Sequence, residues 1–559
     1  MSLPTKFQHP YKFDPKYSKK TAYFCMEFAI DQSFKIYSGG LGFLAGSHMR
    51  SAYDLKQNMV GIGLLWKYGY YDQIRAKDQS MDVLFQEKTY SFLQDTGIKF
   101  SIRVNNHDVW VKAFYLDPEQ FGTVPMFFLS TDLPENDYLA QTITHRLYES
   151  NTEGKVAQSI LLGLGGAKLL DELNWEPDIY HLNEAHALSS AFHLYKKHGS
   201  IEEVKKRMVF TTHTPEEAGN EKHNIHLLDK LGFFNGVPLD QVRELTGIHD
   251  DTFNHSLVAL RFAHFANGVS KLHGEVSREM WKNQTGICPI THVTNAQNAR
   301  YWQDPELKAA LVKGDDAQLT DRKKKLKKNL FQIVADQTGK WFDPNVFTIV
   351  WARRYAGYKR ADLITRDMER FQKLLSNSKY PVQIIWAGKP YPMDYGAVGT
   401  FNSLVHMTKH NKNAAVLVGY ELQLSRMLKY GSDVWLNNPR VTREASGTSG
   451  MTAAMNAGVN FSTYDGWICE FTRHGENGFI IPATDHRKPH HMQDHEDMEA
   501  MFYILENEIL PTYYDEPKKW TEIVKTSMKD VTPYFDADRM AQEYYDHVYT
   551  NPEQKKFKK

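Results

Sequence analysis

Short apolar runs alternate along this chain with stretches that carry apolar residues at helical spacing, and that alternation favours an α/β fold with parallel sheets. Residues 21–30 read as a strand that leads into Tyr-Ser-Gly-Gly-Leu-Gly at 37–42 and then a helix. Residues 156–173 are apolar at helical spacing. A short strand at 178–182 precedes Asn-Glu-Ala-His at 183–186, and another at 208–212 precedes His213. Residues 346–352, 382–387, 414–418 and 434–436 read as four core strands of a second sheet, and helices dominate from 497 to 549. At 559 residues the chain exceeds the ~250–300 that one core supports, so two large domains are expected. The polar stretch 294–304, which follows a strand at 290–293, is the expected junction. Only the Lys-rich tail at 555–559 reads as disordered.

With 67 basic and 67 acidic side chains the protein lacks the field of a general nucleic-acid binder, so an anionic substrate has to be held by a few local cations. Cys25, Cys288 and Cys469 are far apart and odd in number. This disfavours a disulfide framework or a clustered zinc site and fits a reducing compartment. Residues 1–20 are polar and lack the apolar segment of a signal peptide, and no run reaches ~18 apolar residues. A cytoplasmic chain with no membrane span is expected.

Several segments carry chemistry. Ser38-Gly39-Gly40-Leu41-Gly42 lies between a strand and a helix, where glycines let backbone N–H groups approach an anion; a tight packing turn is the alternative. Arg353, Arg354, Tyr358, Lys359 and Arg360 directly follow the strand at 346–352. Crowding cations at a strand end is unfavourable unless an anion lies among them, which points to a phosphate clamp rather than a solvated loop. Glu444-Ala-Ser-Gly-Thr-Ser-Gly450 opens a helix expected at 451–459. It offers a second cradle for an anion or hydroxyls, with Glu444 suited to accept from a sugar; a plain helix cap is the alternative. His213 ends a strand, and a lone histidine there is more often structural than catalytic. His181, Glu184 and His186 lack the i, i+4 spacing of a zinc hydrolase, and His486, His490, His491, Asp494 and His495 lie in a polar segment, so no metal site is expected. Arg322 and the lysines at 323–325, 327 and 328 read as a solvated helix face, glucan or phosphate contact being the alternative.

In this order the segments resemble the α-glucan (glycogen, starch, maltodextrin) phosphorylase family, especially its compact prokaryotic branch. The matching stretches are Ala-Tyr-Phe-Cys-Met-Glu-Phe at 22–28, the glycine segment extended to 37–46, His-Leu-Asn-Glu-Ala-His at 181–186, and Thr-Thr-His-Thr-Pro at 211–215. They continue with residues 352–360, Trp-Ala-Gly-Lys at 386–389, Asp-Val-Trp-Leu-Asn-Asn-Pro at 433–439, and Glu-Ala-Ser-Gly-Thr-Ser-Gly-Met at 444–451. The resemblance implies a GT-B fold, two Rossmann-like domains facing a cleft. Residues 1–298 would form the acceptor-side domain, completed by a C-terminal helix at 525–559, and 299–524 the donor-side domain. It also implies retaining transfer of glucose between an α-1,4-glucan and phosphate, and a possible homodimer. Carried over by position, Gly39, Gly40, Gly42, Arg353, Arg354, Lys359, Gly447 and Thr448 match the phosphate-binding set. His213, Asn295, Tyr358, Glu444, Ser446 and Gly447 match the sugar contacts. His213, Arg354, Lys359 and Glu444 are the residues the resemblance implicates in catalysis.

One departure alters the expected chemistry. In the family the helix after the glycine-rich turn reads Gly-Met-Lys, and that lysine forms the Schiff base with pyridoxal phosphate. Here it reads Gly450-Met451-Thr452, and threonine has no amine to attach the cofactor. A second departure is Asn295-Ala296-Gln297-Asn298, where the compact branch has Asn-Gly-Val-His. The leading expectation is therefore a pyridoxal-independent retaining glucosyltransferase with a nucleotide-sugar donor (UDP-, ADP- or GDP-glucose) and a glucan or sugar acceptor. Arg353, Arg354 and Lys359 would hold the diphosphate near Thr452. The alternatives are a phosphorylase that binds pyridoxal phosphate non-covalently or not at all, and an inactive glucan- or metabolite-binding homologue.

Overall fold

The computed structural model describes residues 7–549, so the Lys-rich tail lies outside the described residues. Along the chain run β1 (Thr21–Phe24), β2 (Met59–Leu64), the hairpin β3 (Asp72–Arg75) and β4 (Met81–Leu84), then β5 (Gln94–Val104), β6 (His107–Leu116) and β7 (Met126–Ser130). There follow β8 (Ile179–Asn183), β9 (Met208–Thr211), β10 (Lys222–Asn224), β11 (Thr252–Asn254), β12 (Phe265–Gly268) and β13 (Ile290–His292). The remainder are β14 (Phe347–Ala352), β15 (Val382–Ala387), β16 (Ala414–Leu417), β17 (Val434–Asn437), β18 (Val459–Thr463) and β19 (Gly478–Ile481). Two compact units result. The N-terminal unit holds the chain up to Tyr71, Phe85–Thr294 and the segment from Ala537; the C-terminal unit holds Asp72–Leu84 and Asn295–Asp536.

The N-terminal unit is built on a nine-stranded sheet in the order β13-β12-β9-β8-β1-β2-β7-β6-β5. Its strands from β13 to β7 pair in parallel, and β1 and β8 are buried along their whole length, as expected where helices cover both faces. The antiparallel edge β5–β6, which the sequence reading passes over, alternates buried and exposed residues instead. β1 ends at Phe24, earlier than expected, and the chain bends through Cys25–Ile36 before the helix α1 (Gly40–Asp54). Strands β8 and β12 close on the C-terminal segment: the Tyr549 hydroxyl lies 2.5 Å from His181 Nδ1, and the Tyr544 hydroxyl accepts from Asn267.

The C-terminal unit has six strands, all parallel, in the order β16-β15-β14-β17-β18-β19. Four were expected; β18 and β19 were not. The helix α2 (Asp316–Thr338) packs Leu330, Phe331 and Val334 against Val350, Ile385 and Trp435 of the sheet. Its basic face is not simply solvated. Lys323 and Lys327, one turn apart, point inward, where Lys327 pairs with Asp433 at 2.5 Å and Lys323 donates to the Asn456 carbonyl. Lys324, Lys325 and Lys328 are exposed. The helix expected at 451–459 is shorter: α3 spans Ser449–Ala454, because Ala457 adopts φ 59° and Gly458 N–H returns to the Ala453 carbonyl, closing the helix before β18. The polar stretch 294–304 is buried rather than looped in solvent, with Thr294, Asn295, Gln297, Asn298 and Asp304 all inaccessible.

Candidate active-site residues

In both sheets the chemistry-bearing residues follow the carboxyl ends of strands, where open parallel sheets bind ligands. In the N-terminal unit the glycine segment is already engaged by an internal carboxylate. Glu27, just past β1, accepts from the Ser38 and Gly39 amides at 2.6 and 3.0 Å, from the Ser38 hydroxyl, and from the Tyr148 hydroxyl at 2.7 Å. Side chains added at Gly39 or Gly40 would meet nothing within 4 Å, whereas one at Gly42 would strike the Glu27 carboxylate. Gly39 and Gly40 thus border open space, and Gly42 is a packing glycine.

Beyond β8 and β9, His213 Nε2 lies 2.6 Å from Asn183 Oδ1, and the Asn183 amide nitrogen donates to Cys25 Sγ. This arrangement places the proton on Nε2 and leaves Nδ1 an acceptor. Burial pushes the His213 pKa down to about 3, so the ring is neutral. The His213 amide donates to the Glu184 carboxylate. Glu184 has φ 63° and ψ 171°, a region that costs a side-chain-bearing residue ~1–3 kcal/mol and recurs at functional sites. Burial, opposed by donation from His213 and Thr214, pushes its carboxyl up to about 7. Sequence reasoning weighed Glu184 only as a metal ligand and missed Glu27; backbone strain, the signal at Glu184, is not visible in a sequence. Among the described residues no group of three or more His, Cys, Asp or Glu is placed to hold a metal ion.

In the C-terminal unit the cations after β14 have separate fates. Arg360 is wholly buried and neutralised by Asp494 at 3.0 Å and Asp497 at 2.7 Å, so it is structural. Asp494 also takes Arg366 and Arg440. Arg353 is also buried but is hydrogen-bonded only by amide oxygens: Asn437 Oδ1 and the Leu436 carbonyl accept from its guanidinium, which lies 5.5 Å from the Trp351 ring centre, and its Nε is buried without a hydrogen-bond partner. Burial lowers the Arg353 pKa, offset in part by the charge of Glu444. Gly388, at φ 148°, lets the backbone pass close to the Arg353 carbonyl; a side chain there would collide with it. Arg354 is exposed, and Tyr358 is half-buried with Lys359 over its ring at 5.3 Å.

Lys359 Nζ lies 3.0 Å from Glu444 Oε2, both side chains largely shielded. The Glu444 amide donates at 2.9 Å to Asp465, a buried carboxyl pushed up to about 8 by burial and by the Glu444 charge. Gly447 adopts φ 86°, and a side chain there would press on Glu444 and Asn437, which brings this turn beside Arg353. The Ser446 hydroxyl and the Asn295 amide oxygen are buried without partners. Thr448 caps α3 without a side-chain hydrogen bond, and Thr452 is 1% exposed, its hydroxyl donating to the Ser449 carbonyl at 3.0 Å. The structure therefore assembles Arg353, Lys359, Glu444, Ser446 and Gly447, adds Asn437 and Asp465, and leaves Thr452 turned back on its own helix.

Residues 307–508, which span most of this assembly, match a family described as carbohydrate phosphorylase. The whole chain is similar to the maltodextrin phosphorylase of Thermococcus litoralis, 33% identical over 96% of this chain and 71% of that one. The chain belongs to the carbohydrate phosphorylase family. A second phosphorylase relative is the glycogen phosphorylase of Aquifex aeolicus, 30% identical over 96% and 87% of the two chains. An uncharacterized protein of Methanocaldococcus jannaschii is 45% identical over 95% of this chain and 100% of its own length. Within the carbohydrate phosphorylase match lie Arg353, Lys359, Glu444 and Thr452; the glycine segment and His213 lie outside it. No helix among the described residues is long and apolar enough to cross a membrane.

Proposed function

We propose that this protein transfers a glucosyl group, with retention, between an α-glucan and phosphate, and that its C-terminal unit holds the phosphate. The observation that carries this reading is Arg353: a buried guanidinium faced by amide oxygens, with one N–H unpartnered, where Arg360 seven residues on is fully neutralised. A phosphate oxyanion is the ligand that completes such a site, because charge-assisted bonds to guanidinium are about twice as strong as neutral ones. The same anion competes with Glu444 for Lys359 and frees the carboxylate to accept from sugar hydroxyls. Arg353 and Lys359 then stabilise the charge that develops on the departing phosphate. In the N-terminal unit, the neutral His213 ring and Glu184 are suited to uncharged hydroxyls.

Covalently held pyridoxal phosphate does not fit this reading, since Thr452 supplies no amine and its hydroxyl is spent on Ser449. That same feature favours a second reading, a nucleotide-sugar donor whose own two phosphates meet the cations. The names of the phosphorylase relatives support the first. Incubation with maltoheptaose and inorganic phosphate is expected to release glucose 1-phosphate, and phosphate or glucose 1-phosphate to raise the melting temperature. Ligand at a hundred times its dissociation constant adds about 2.7 kcal/mol. No glucose 1-phosphate, together with stabilisation by UDP-, ADP- or GDP-glucose alone, would replace the first reading with the second.

A further inference from the structure

A groove of about 790 Å³ opens on the C-terminal unit, between the edge strand β19 and the helix α4 (His490–Ile504). This volume is in the range of small-molecule sites. Its floor is apolar, made by Ile480, Pro482 and Ile504. Two tyrosines flank it with their rings in solvent, Tyr464 at 40% and Tyr503 at 61% exposure. Aromatic rings left this open on a folded surface are unfavourable to hydration and mark contact sites when they border one concavity.

The rim carries two carboxylates, each with a partner: Glu499 pairs with Arg370 at 3.1 Å and Glu508 with His474. Glu499 and Glu508 line the groove, with His474 Nε2 at 2.7 Å from Glu508, and neither lysine nor arginine contributes to the lining. Glu508 is carried by a π-helical turn, Leu505–Ile509, that continues α4; such turns recur at functional sites. Arg370 is already held by Glu499 and Glu506, so the groove does not favour an anionic ligand. A ligand with apolar faces and hydroxyl edges is matched: the faces lie on tyrosine and on the aliphatic floor, and the hydroxyls donate to carboxylates.

We propose that this groove is a surface binding site for a neutral α-glucan chain, separate from the residues around Arg353 and resting on the glucan reading above. Tyr464 immediately precedes Asp465, the carboxyl that receives the Glu444 amide, so a chain held here lies one residue from the support of the candidate catalytic carboxylate. Among its lining residues the site has neither lysine nor arginine with which to take a sugar phosphate.

Affinity electrophoresis of the full chain through gels containing glycogen, or titration with maltoheptaose, tests this directly. The unaltered protein is expected to be retarded, Tyr503→Ala to bind about tenfold more weakly, and Tyr503→Phe to bind as the unaltered protein does. Tyr503 is largely exposed, so its replacement leaves the fold intact, which an unchanged melting temperature verifies. Absent retardation, or Tyr503→Ala retarded fully, overturns the proposal. A change in sedimentation on Tyr503→Ala overturns it in favour of an interface between copies of the chain. The catalytic reading is judged apart by glucose 1-phosphate release: Tyr503-dependent retardation without that release upholds the groove and removes the chemistry.

Discussion

In the C-terminal unit charged side chains are held by partners: after β14, Arg360 lies between two aspartates and Lys359 on Glu444, and Lys327 of α2 pairs with Asp433. In the N-terminal unit, after β9 and in the helices that cover the sheet, burial removes charge instead. His48, His213, His255 and His273 are held neutral, with pKa values near 3, 3, 4 and 4, and Glu184 is shifted up to about 7. The two units thus differ in how they treat most of these buried polar groups: the C-terminal one pairs ions, Asp465 excepted, and the N-terminal one suppresses them. The first solution prepares a surface for an anion, the second for neutral hydroxyls.

Acid should separate the units most strongly. The four histidines stay unprotonated when folded and take protons at the ordinary value of 6.5 when unfolded. The stability they permit is complete above pH 6.5 and is lost as pH falls toward 4, at roughly 1.4 kcal/mol per pH unit for each. From pH 7 to pH 5 the hydrogen-exchange protection factors of β8, β9 and β12 are expected to fall far more than those of β14 and β15; an equal fall would break the contrast. Next in size, Arg360→Met should lower stability in urea by about 3–5 kcal/mol, since it strands the buried Asp497, while Asp494 keeps Arg366 and Arg440.

Arg353→Ala should do the reverse, leaving melting within a few degrees while turnover with phosphate falls about 10²–10³-fold. If instead it destabilises as Arg360→Met does and spares activity, Arg353 is structural too. The smallest effect is expected at Glu184. Its raised carboxyl contributes stability present below pH 4.5 and lost as pH rises through 7. Glu184→Gln should therefore be more stable than the unaltered protein at pH 8, by about 1–2 kcal/mol, and the gain should shrink toward pH 5.

Much of the parallel framework was legible because buried strands are short, mostly apolar runs, as at 347–352 and 382–387, broken only by Thr348 and Gln383. The glycine segment and the cations after β14 were legible for the same reason, being polar islands at strand ends. Their partners were not. Asp494 and Asp497 lie more than 130 residues from Arg360, Glu27 occupies the amides that an external anion was expected to fill, and nothing local marks Lys323 and Lys327 as inward-facing. Periodicity reports which face is apolar, whereas the neutralisation of a buried charge depends on which distant segments the topology brings together. The short β18 and β19 escaped: the expected helix ended on the first residue of β18, Val459, and no element was expected at 478–481.

The return of the chain from Ala537 to the N-terminal unit sets an order of assembly. Tyr544, Tyr545 and Tyr549 supply hydroxyls to Asn267, to the Lys19 carbonyl and to His181, all made hundreds of residues earlier. On a ribosome, the domain whose synthesis starts first is therefore the one completed last, its strand ends waiting while the entire second sheet is translated and closed.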